Sequence, residues 1–257
     1  MAEEVPLAGG SMTAGVVRVG DTVRRPVGRW TPAVHSVLRH LESVGFSGAP
    51  RVLGFDEKGR EVLTYLPSDP EPNWSDDALI AVGRLVRELH DALADYVAPA
   101  GAVWRHPPLG RRHPSGQVVH GDLCPVNTVY SGGVPYGFID WDLAGPAEPD
   151  FDVVSAAIGF IAIRPDRYWP RPGCPRPPDR VARLRLFCDA YGIEHRFAVV
   201  DSIEAFLRDE LDETLDLGRR GVSPFRIFFD RGEQHYRRIE LEWLAEHRAA
   251  LEAALSD

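Results

Sequence analysis

The sequence predicts an α+β chain with a small β-rich N-lobe, residues 1–67, and a larger, mainly helical C-lobe, residues 68–257. Three observations carry the prediction. Up to Leu66 the chain reads as short β-branched runs broken by glycine turns, with one helical segment among them. Beyond Ser75, long stretches repeat apolar residues at helical spacing. Within that second part, Val118–Asp142 reads as a hairpin that gathers two carboxylates and an amide at one point.

Composition limits the functions open to such a chain. At 257 residues, 44% hydrophobic and 26% charged, it can bury a full core. No apolar run approaches the roughly 20 residues that a membrane helix requires. Met1-Ala2-Glu3-Glu4 is acidic where a secretory leader is basic, so no membrane partner is expected. Cys124, Cys174 and Cys188 are widely spaced, without metal-ligand spacing or a disulfide framework, and fit a reducing cytoplasm. A net charge of −9 argues against nucleic acid. It suits a cationic small molecule as well as it suits simple solubility. Of the 29 basic residues only Lys58 is a lysine, and it sits in a turn, Asp56–Arg60. No lysine is therefore expected on a phosphate-binding strand.

The elements follow in order. Leu7-Ala8-Gly9-Gly10-Ser11 precedes the strand Gly15–Val19, and Gly20-Asp21 turns the chain into Thr22–Arg25. Backbone amides at Gly9, Gly10 and Ser11 can bond phosphate oxygens without a clashing side chain, although an ordinary hairpin fits the same residues. Thr31-Pro32 starts a helix, with Thr31 as N-cap and proline first in the turn; Val34, Val37, Leu38 and Leu41 form its apolar stripe and Gly45 ends it. Pro50–Phe55 and Glu61–Leu66 are strands flanking the Lys58 turn, and the second runs into the proline-rich linker Pro67–Pro72. Ser75 caps a helix over 76–96, with Asp76 and Asp77 in its first turn. Leu79, Val82, Val86, Leu89 and Leu93 face its core side, and His90 beside them reads as a core or surface histidine. Residues 97–116 form a loop whose Arg105, His106, Arg111, Arg112 and His113 either meet an anionic group or make a solvated surface.

Val118-Val119 then leads into His120-Gly121-Asp122; Asn127 follows five residues after the aspartate, and Asp140 comes thirteen residues later. Ser131-Gly132-Gly133 reads as a tight turn, because adjacent glycines supply positive φ angles. The hairpin would return Asp140 beside Asn127. Magnesium takes hard oxygen ligands and is held by one or two carboxylates plus substrate phosphates, so Asn127 and Asp140 can provide the protein's share. Asp122 is placed to orient an attacking hydroxyl and accept its proton. The same spacing marks protein kinases. A polar hairpin whose Asp and Asn only make turn hydrogen bonds is the alternative. Beyond it, helical patterns cover 179–191, 197–217 and 233–254. In the second, Ile203, Phe206, Leu207, Leu211 and Leu215 form the core stripe, while Asp201, Glu204, Asp209, Asp212, Glu213 and Asp216 lie mostly off it.

His120-Gly121-Asp122, Asn127 and Ile139-Asp140-Trp141-Asp142 resemble the core of the aminoglycoside phosphotransferase and choline-kinase-like family, and more closely its trifolitoxin-immunity-like branch. That family reads His-Gly-Asp-x-x-x-x-Asn in its loop and Ile-Asp-Trp-Asp or Ile-Asp-Trp-Glu on its metal strand. The resemblance implies a protein-kinase-like fold with Asp122, Asn127 and Asp140 as catalytic residues, the last two holding Mg2+. It implies ATP or GTP as donor and a small-molecule hydroxyl, aminoglycoside-like or of another metabolite, as acceptor. Nucleotide contacts are implied at Gly9, Gly10 and Ser11, at Arg25 with Arg24 as second choice, and at the hinge residues Thr64, Tyr65 and Leu66; Arg24 and Arg25 fit solvated strand positions equally. The family pairs its strand cation with a helix glutamate; that position falls on Val34, so the ion pair is expected to be absent. By the same resemblance Asp152 braces the catalytic loop, His120 and Trp141 pack, Asp142 is near the metal or exposed, and 164–178 covers the acceptor pocket. The acids of 197–217 are then acceptor contacts or simply a wet face. An active phosphotransferase is the first reading and a non-catalytic nucleotide-binding or immunity protein the alternative, with a peptide kinase third; the intact Asp122, Asn127 and Asp140 favour the first, the missing lysine and glutamate the second.

Overall fold

The computed structural model describes residues 3–7, 13–70, 72–106, 110–112, 115–169 and 176–256. Gly9, Gly10 and Ser11 lie outside these, as do His113, Cys174 and the middle of the expected acceptor loop. Five strands, β1 (Val5–Pro6), β2 (Val17–Val19), β3 (Thr22–Arg25), β4 (Val52–Phe55) and β5 (Glu61–Thr64), form one antiparallel sheet in the order β1-β2-β3-β5-β4. Strands β3 and β5 lie side by side, with Thr22 opposite Thr64 and Arg25 opposite Glu61.

Helix α1 (Thr31–Ser43) crosses from β3 to β4 and buries the predicted stripe Val34, Val37, Leu38 and Leu41. Its start differs by one residue from the prediction. Thr31 is itself helical, and its Oγ1 accepts from the Gly28 amide at 2.9 Å, behind the helix. Helix α2 (Asp76–Leu93) begins as the cap pattern predicts, with Ser75 Oγ accepting from Ala78 N at 3.2 Å. It buries Leu79, Val82, Val86, Leu89 and Leu93, and packs closely on α4 (Arg180–Tyr191). A Cβ at Gly83 would stand 2.9 Å from Ala190 Cβ, so glycine lets the two helices approach.

Two small two-stranded antiparallel sheets follow α2. Strand β6 (Gln117–Val119) pairs with β9 (Gly145–Ala147), and β7 (Thr128–Ser131) pairs with β8 (Val134–Phe138). Gly132 and Gly133 join β7 to β8 at φ 59° and 78°, the left-handed pair the turn pattern requires. The linker after β5 is fastened to this hairpin. Asp69 N donates to Tyr130 O at 2.9 Å, and Asp69 Oδ2 accepts from Gly133 N at 2.8 Å. Helices α3 (Phe151–Ile161), α4, α5 (Val199–Arg219), α6 (Phe225–Asp230) and α7 (Glu233–Leu255) complete the C-terminal part. One core runs from Val34, Leu38 and Leu63 through Leu89 of α2 and Phe151 of α3 to Leu207 of α5 and Leu251 of α7. The sheet is thereby coupled to the helices by burial of apolar surface. Among the described residues no helix is long and apolar enough to cross a membrane.

Candidate active site

The loop between β6 and the 3-10 turn Pro125–Asn127 is held from beneath by α3. Asp152 is fully buried; its Oδ2 accepts from His120 N at 2.7 Å and its Oδ1 from Gly121 N at 2.8 Å. Burial works to raise its pKa, but His90, His120 and the Gly121 amide outweigh it and hold the carboxyl below the usual range. His90 is a core residue: its Nε2 lies 3.5 Å from Asp152 Oδ2, and its Nδ1 meets Tyr191 Oη at 2.8 Å. Gly121 has φ 84°, and a Cβ there would come 2.1 Å from Leu143 O, so no side chain fits. Arg112 seals the same point, donating to Leu143 O and Gly121 O at 2.8 Å each, with its guanidinium over the Phe151 ring. Neither a solvated nor an anion-binding arginine, as its loop suggested, it is a buried brace. Desolvation lowers its pKa against the pull of nearby carboxylates.

His120 is buried against Trp141 and Phe138. Its Nδ1 accepts from Asp122 N at 3.3 Å and its Nε2 faces Ile139 O at 3.1 Å, an arrangement that assigns the neutral Nε2–H tautomer. Burial pushes its pKa down, in agreement. The two strands of the predicted hairpin meet where Ile139 N donates to Asn127 O at 2.9 Å. Asn127 Nδ2 donates to Asp122 Oδ2 at 2.8 Å and to Asp122 O at 3.0 Å, which leaves its Oδ1 for another partner. Burial first, and the Asp140 charge second, push the Asp122 carboxyl up to about 7 despite the bond from Asn127.

Asp140 adopts the left-handed conformation, φ 63° and ψ 62°, at the end of β8, an uncommon state for a residue with a Cβ. Its Oδ1 accepts from Arg25 Nη2 at 3.1 Å. Asp142 is buried, not exposed, and its oxygens are already engaged. Oδ2 accepts from Arg105 Nη1 at 2.6 Å and Thr13 Oγ1 at 2.8 Å and forms an ion pair with Arg25 Nη2 at 2.7 Å, while Oδ1 accepts from Trp30 Nε1 at 3.3 Å. This carboxylate therefore ties the sheet and the entry to α1 to the loop before β6.

A cavity of about 530 Å³ opens between the sheet and the β7–β8 hairpin. Thr64, Tyr65 and Leu66 line it on one side, Asn127, Asp140 and Asp142 on another, with Arg25 and Glu61 between. Among the described residues no acid of α1 pairs with Arg25, yet the strand cation does not lack a carboxylate. Arg25 does have an acid, Glu61, with Oε1 3.6 Å from Nε, and Glu61 Oε2 lies 2.8 Å from His35 Nε2 on α1. Val34 of α1 lines the cavity as an apolar residue, and the carboxylate comes from the neighbouring strand. Asp142, Asp140 and Glu61 together more than offset the burial of Arg25 and hold its pKa above the ordinary arginine value. Arg24 instead faces Asp56 at 3.7 Å, and Lys58 pairs with Glu4 at 2.8 Å.

The acids of α5 divide into two groups. Asp201 and Glu204 pair with Arg248, and Asp216 pairs with Arg220. Asp209, Glu210 and Glu213 face Arg111, Arg112 and Phe151, and Glu213 meets His106 at 3.1 Å. Burial and the neighbouring Glu213 raise the Asp209 pKa. Of the expected acceptor loop, Trp169 is buried edge-on against Trp74. Sequence reading missed Thr13, Trp30 and Glu61, and named Arg105 and Arg112 without the partners they have here. Glu61 alone left a usable signal, since it stands across the predicted β3–β5 pairing from Arg25.

Comparison with known proteins gives the family and the fold. A family model described as the phosphotransferase enzyme family matches residues 16–199. The trifolitoxin immunity protein of Rhizobium leguminosarum bv. trifolii is 34% identical over 270 residues, covering 100% of both chains. Among solved structures, amicoumacin kinase in complex with AMP-PNP, Ca2+ and Ami superposes with TM-score 0.60 at 13% identity, over 95% of this chain and 88% of that one. The GDP and kanamycin complex of APH(2")-IIia gives TM-score 0.58 at 16% identity, over 96% and 93%. These likenesses establish the protein-kinase-like fold, with a β-rich N-lobe and a mainly helical C-lobe. By the family match and the full-length relative, the chain belongs to the phosphotransferase enzyme family.

Proposed function

We propose that this protein transfers the terminal phosphate of a nucleotide to a hydroxyl of a small molecule, with a divalent cation. One observation carries the proposal: Asn127 and Asp140 line a cavity together with Thr64, Tyr65 and Leu66, and Asp122 is hydrogen-bonded to Asn127 beside it. In this account Thr64, Tyr65 and Leu66 hold the base of ATP or GTP, at the boundary near Pro67 between the lobes. Gly9, Gly10 and Ser11 would approach its phosphates from the segment before β2. Arg25 lies at the phosphate end.

The donor set fits magnesium. The Asp140 carboxylate and Asn127 Oδ1 are hard oxygen donors, and the Asp122–Asp140 repulsion that raises Asp122 is the kind a cation relieves. Such an ion would neutralise phosphate charge during transfer. The residues do the rest. Asp152 and Arg112 fix the backbone of the loop, and Asn127 fixes the rotamer of Asp122. Asp122, with a carboxyl near 7, is matched to orient an acceptor hydroxyl and take its proton near neutral pH. A cationic acceptor would find Asp209, Glu210 and Glu213 on α5. Nucleotide pools of the cytoplasm suit this chemistry.

The test is magnesium-dependent nucleotide binding and slow nucleotide hydrolysis by wild type, Asp122→Asn and Asp140→Ala. Asp140→Ala is expected to lose metal-dependent binding, and Asp122→Asn to bind without turnover. A wild type that binds no nucleotide would end the proposal. The immunity function named for the 34% identical relative favours a second account, a protein that binds nucleotide without transferring phosphate. Binding without turnover across a broad panel of hydroxyl acceptors would select it.

A further inference from the structure

Arg25 is contested by three carboxylates. Nη2 donates to Asp140 at 3.1 Å and lies 2.7 Å from Asp142 Oδ2 in an ion pair, on the side of the β7–β8 hairpin. On the other side, Glu61 Oε1 stands 3.6 Å from Nε, and that Nε, though buried, makes no hydrogen bond. Because Arg25 and Glu61 are register partners on β3 and β5, backbone pairing fixes where the Glu61 carboxylate sits. Its second oxygen is held at 2.8 Å by His35 of α1, and Glu61 and His35 are 4% and 2% exposed. A buried ion pair is weak evidence for stability, since apolar residues of equal volume often serve as well. An unmet buried N–H is moreover a cost that a purely structural pair would be expected to shed.

We propose that Glu61, anchored by His35, is a positioning residue whose charge offsets the pull of Asp140 and Asp142 on Arg25. Resting on the account of the cleft as a nucleotide site, this gives the pair the task of keeping Asp140 available to a cation and Arg25 available to phosphate. Without the Glu61 charge, the guanidinium's remaining carboxylates are Asp140 and Asp142, so it settles on them and competes with the metal. The His35–Glu61 contact also links α1 to the site through a strand residue, which explains how Val34 can be apolar.

The test is ATP or GTP binding, whichever wild type prefers, titrated with MgCl2 and accompanied by thermal melts. In Glu61→Gln the magnesium concentration at half-saturation should rise about tenfold, equivalent to loss of one buried charge contact. In an Arg25→Met background the same change should leave that midpoint unmoved. A purely structural pair would lower the melting temperature and leave the magnesium midpoint alone, in either background. A wild-type midpoint in Glu61→Gln, or an equal shift without Arg25, overturns the proposal. Should Glu61→Gln fail to fold, His35→Gln keeps the carboxylate and removes its anchor; it should raise the midpoint about threefold, and an unmoved midpoint overturns the proposal equally. A wild type that binds no nucleotide defeats the phosphotransferase account itself, whereas normal wild-type binding with an unaffected Glu61→Gln defeats this inference alone.

Discussion

Asp122→Asn should stabilise the protein at alkaline pH while abolishing transfer. The Asp122 carboxyl rises from an ordinary 3.8 to about 7, chiefly by burial and then by Asp140. A group whose folded pKa is raised opposes folding once it must ionise. For an acid, stability is undiminished below the unfolded value and is lost as pH rises from about 4 to about 7. A shift of about three units at 1.36 kcal/mol each bounds the penalty at roughly 4 kcal/mol. Water reaching a half-buried carboxyl reduces it, so about 2 kcal/mol is the expected gain at pH 8. Asparagine keeps an oxygen to accept from Asn127 Nδ2, so the local bond survives. The assay is urea denaturation of both proteins at pH 4.5 and pH 8 in chelator. The variant's advantage should be small at the lower pH and about 2 kcal/mol at the higher. Added magnesium and nucleotide should shrink it, because a nearby cation favours the ionised aspartate. An Asn variant equal to or weaker than wild type at pH 8 would refute the claim that Asp122 is held desolvated against Asp140.

Three further outcomes are expected. Asp152→Ala strands the His120 and Gly121 amides and should cost about 3–5 kcal/mol in urea denaturation. Since Asp152 is depressed below the ordinary carboxylate value, its contribution is present above about pH 4 and lost as pH falls through its folded pKa. Wild type should therefore lose its margin over Asp152→Ala in acid, as denaturation midpoints will report. Gly121→Ala drives a Cβ toward Leu143 O at 2.1 Å in a left-handed conformation, and should lose phosphate transfer along with several degrees of melting temperature. Asp142→Ala leaves Arg105 and Arg25 with a shared acceptor removed; it should destabilise by about 2–4 kcal/mol and increase protease cleavage near Trp30, read by mass spectrometry.

What the sequence disclosed was local. Caps, stripes and turns depend on neighbours within a few residues, so Ser75 with Ala78, the face Leu79–Leu93, and the Gly132-Gly133 turn were readable. The grouping of Asn127 with Asp140 was readable for the same reason, since one tight turn closes that loop. Helix α3 was not, because nearly every face of Phe151–Ile161 is buried and the run shows no polar side to set a period. Arg112, Arg105 and Thr13 were hidden for another reason. Their partners lie 9 to 129 residues away, and nothing in a loop's composition tells a solvated arginine from one folded back onto carbonyls or a carboxylate.

The Arg25 site shows where a motif-by-motif comparison goes astray. Matching residue 34 to a helix glutamate treats an ion pair as a property of two sequence positions, and by that standard this chain lacks one. Physically the requirement is a carboxylate near a guanidinium, and a sheet can meet it from the adjacent strand at fixed register. Arginine makes such an exchange workable: its planar fork offers separate edges to Asp140 and Asp142 on one side and Glu61 on the other, whereas a lysine ammonium is a single point charge. A missing strand lysine and an apolar residue 34 therefore do not by themselves leave the sheet without a cation–carboxylate pair, because Arg25 and Glu61 supply one at the β3–β5 register.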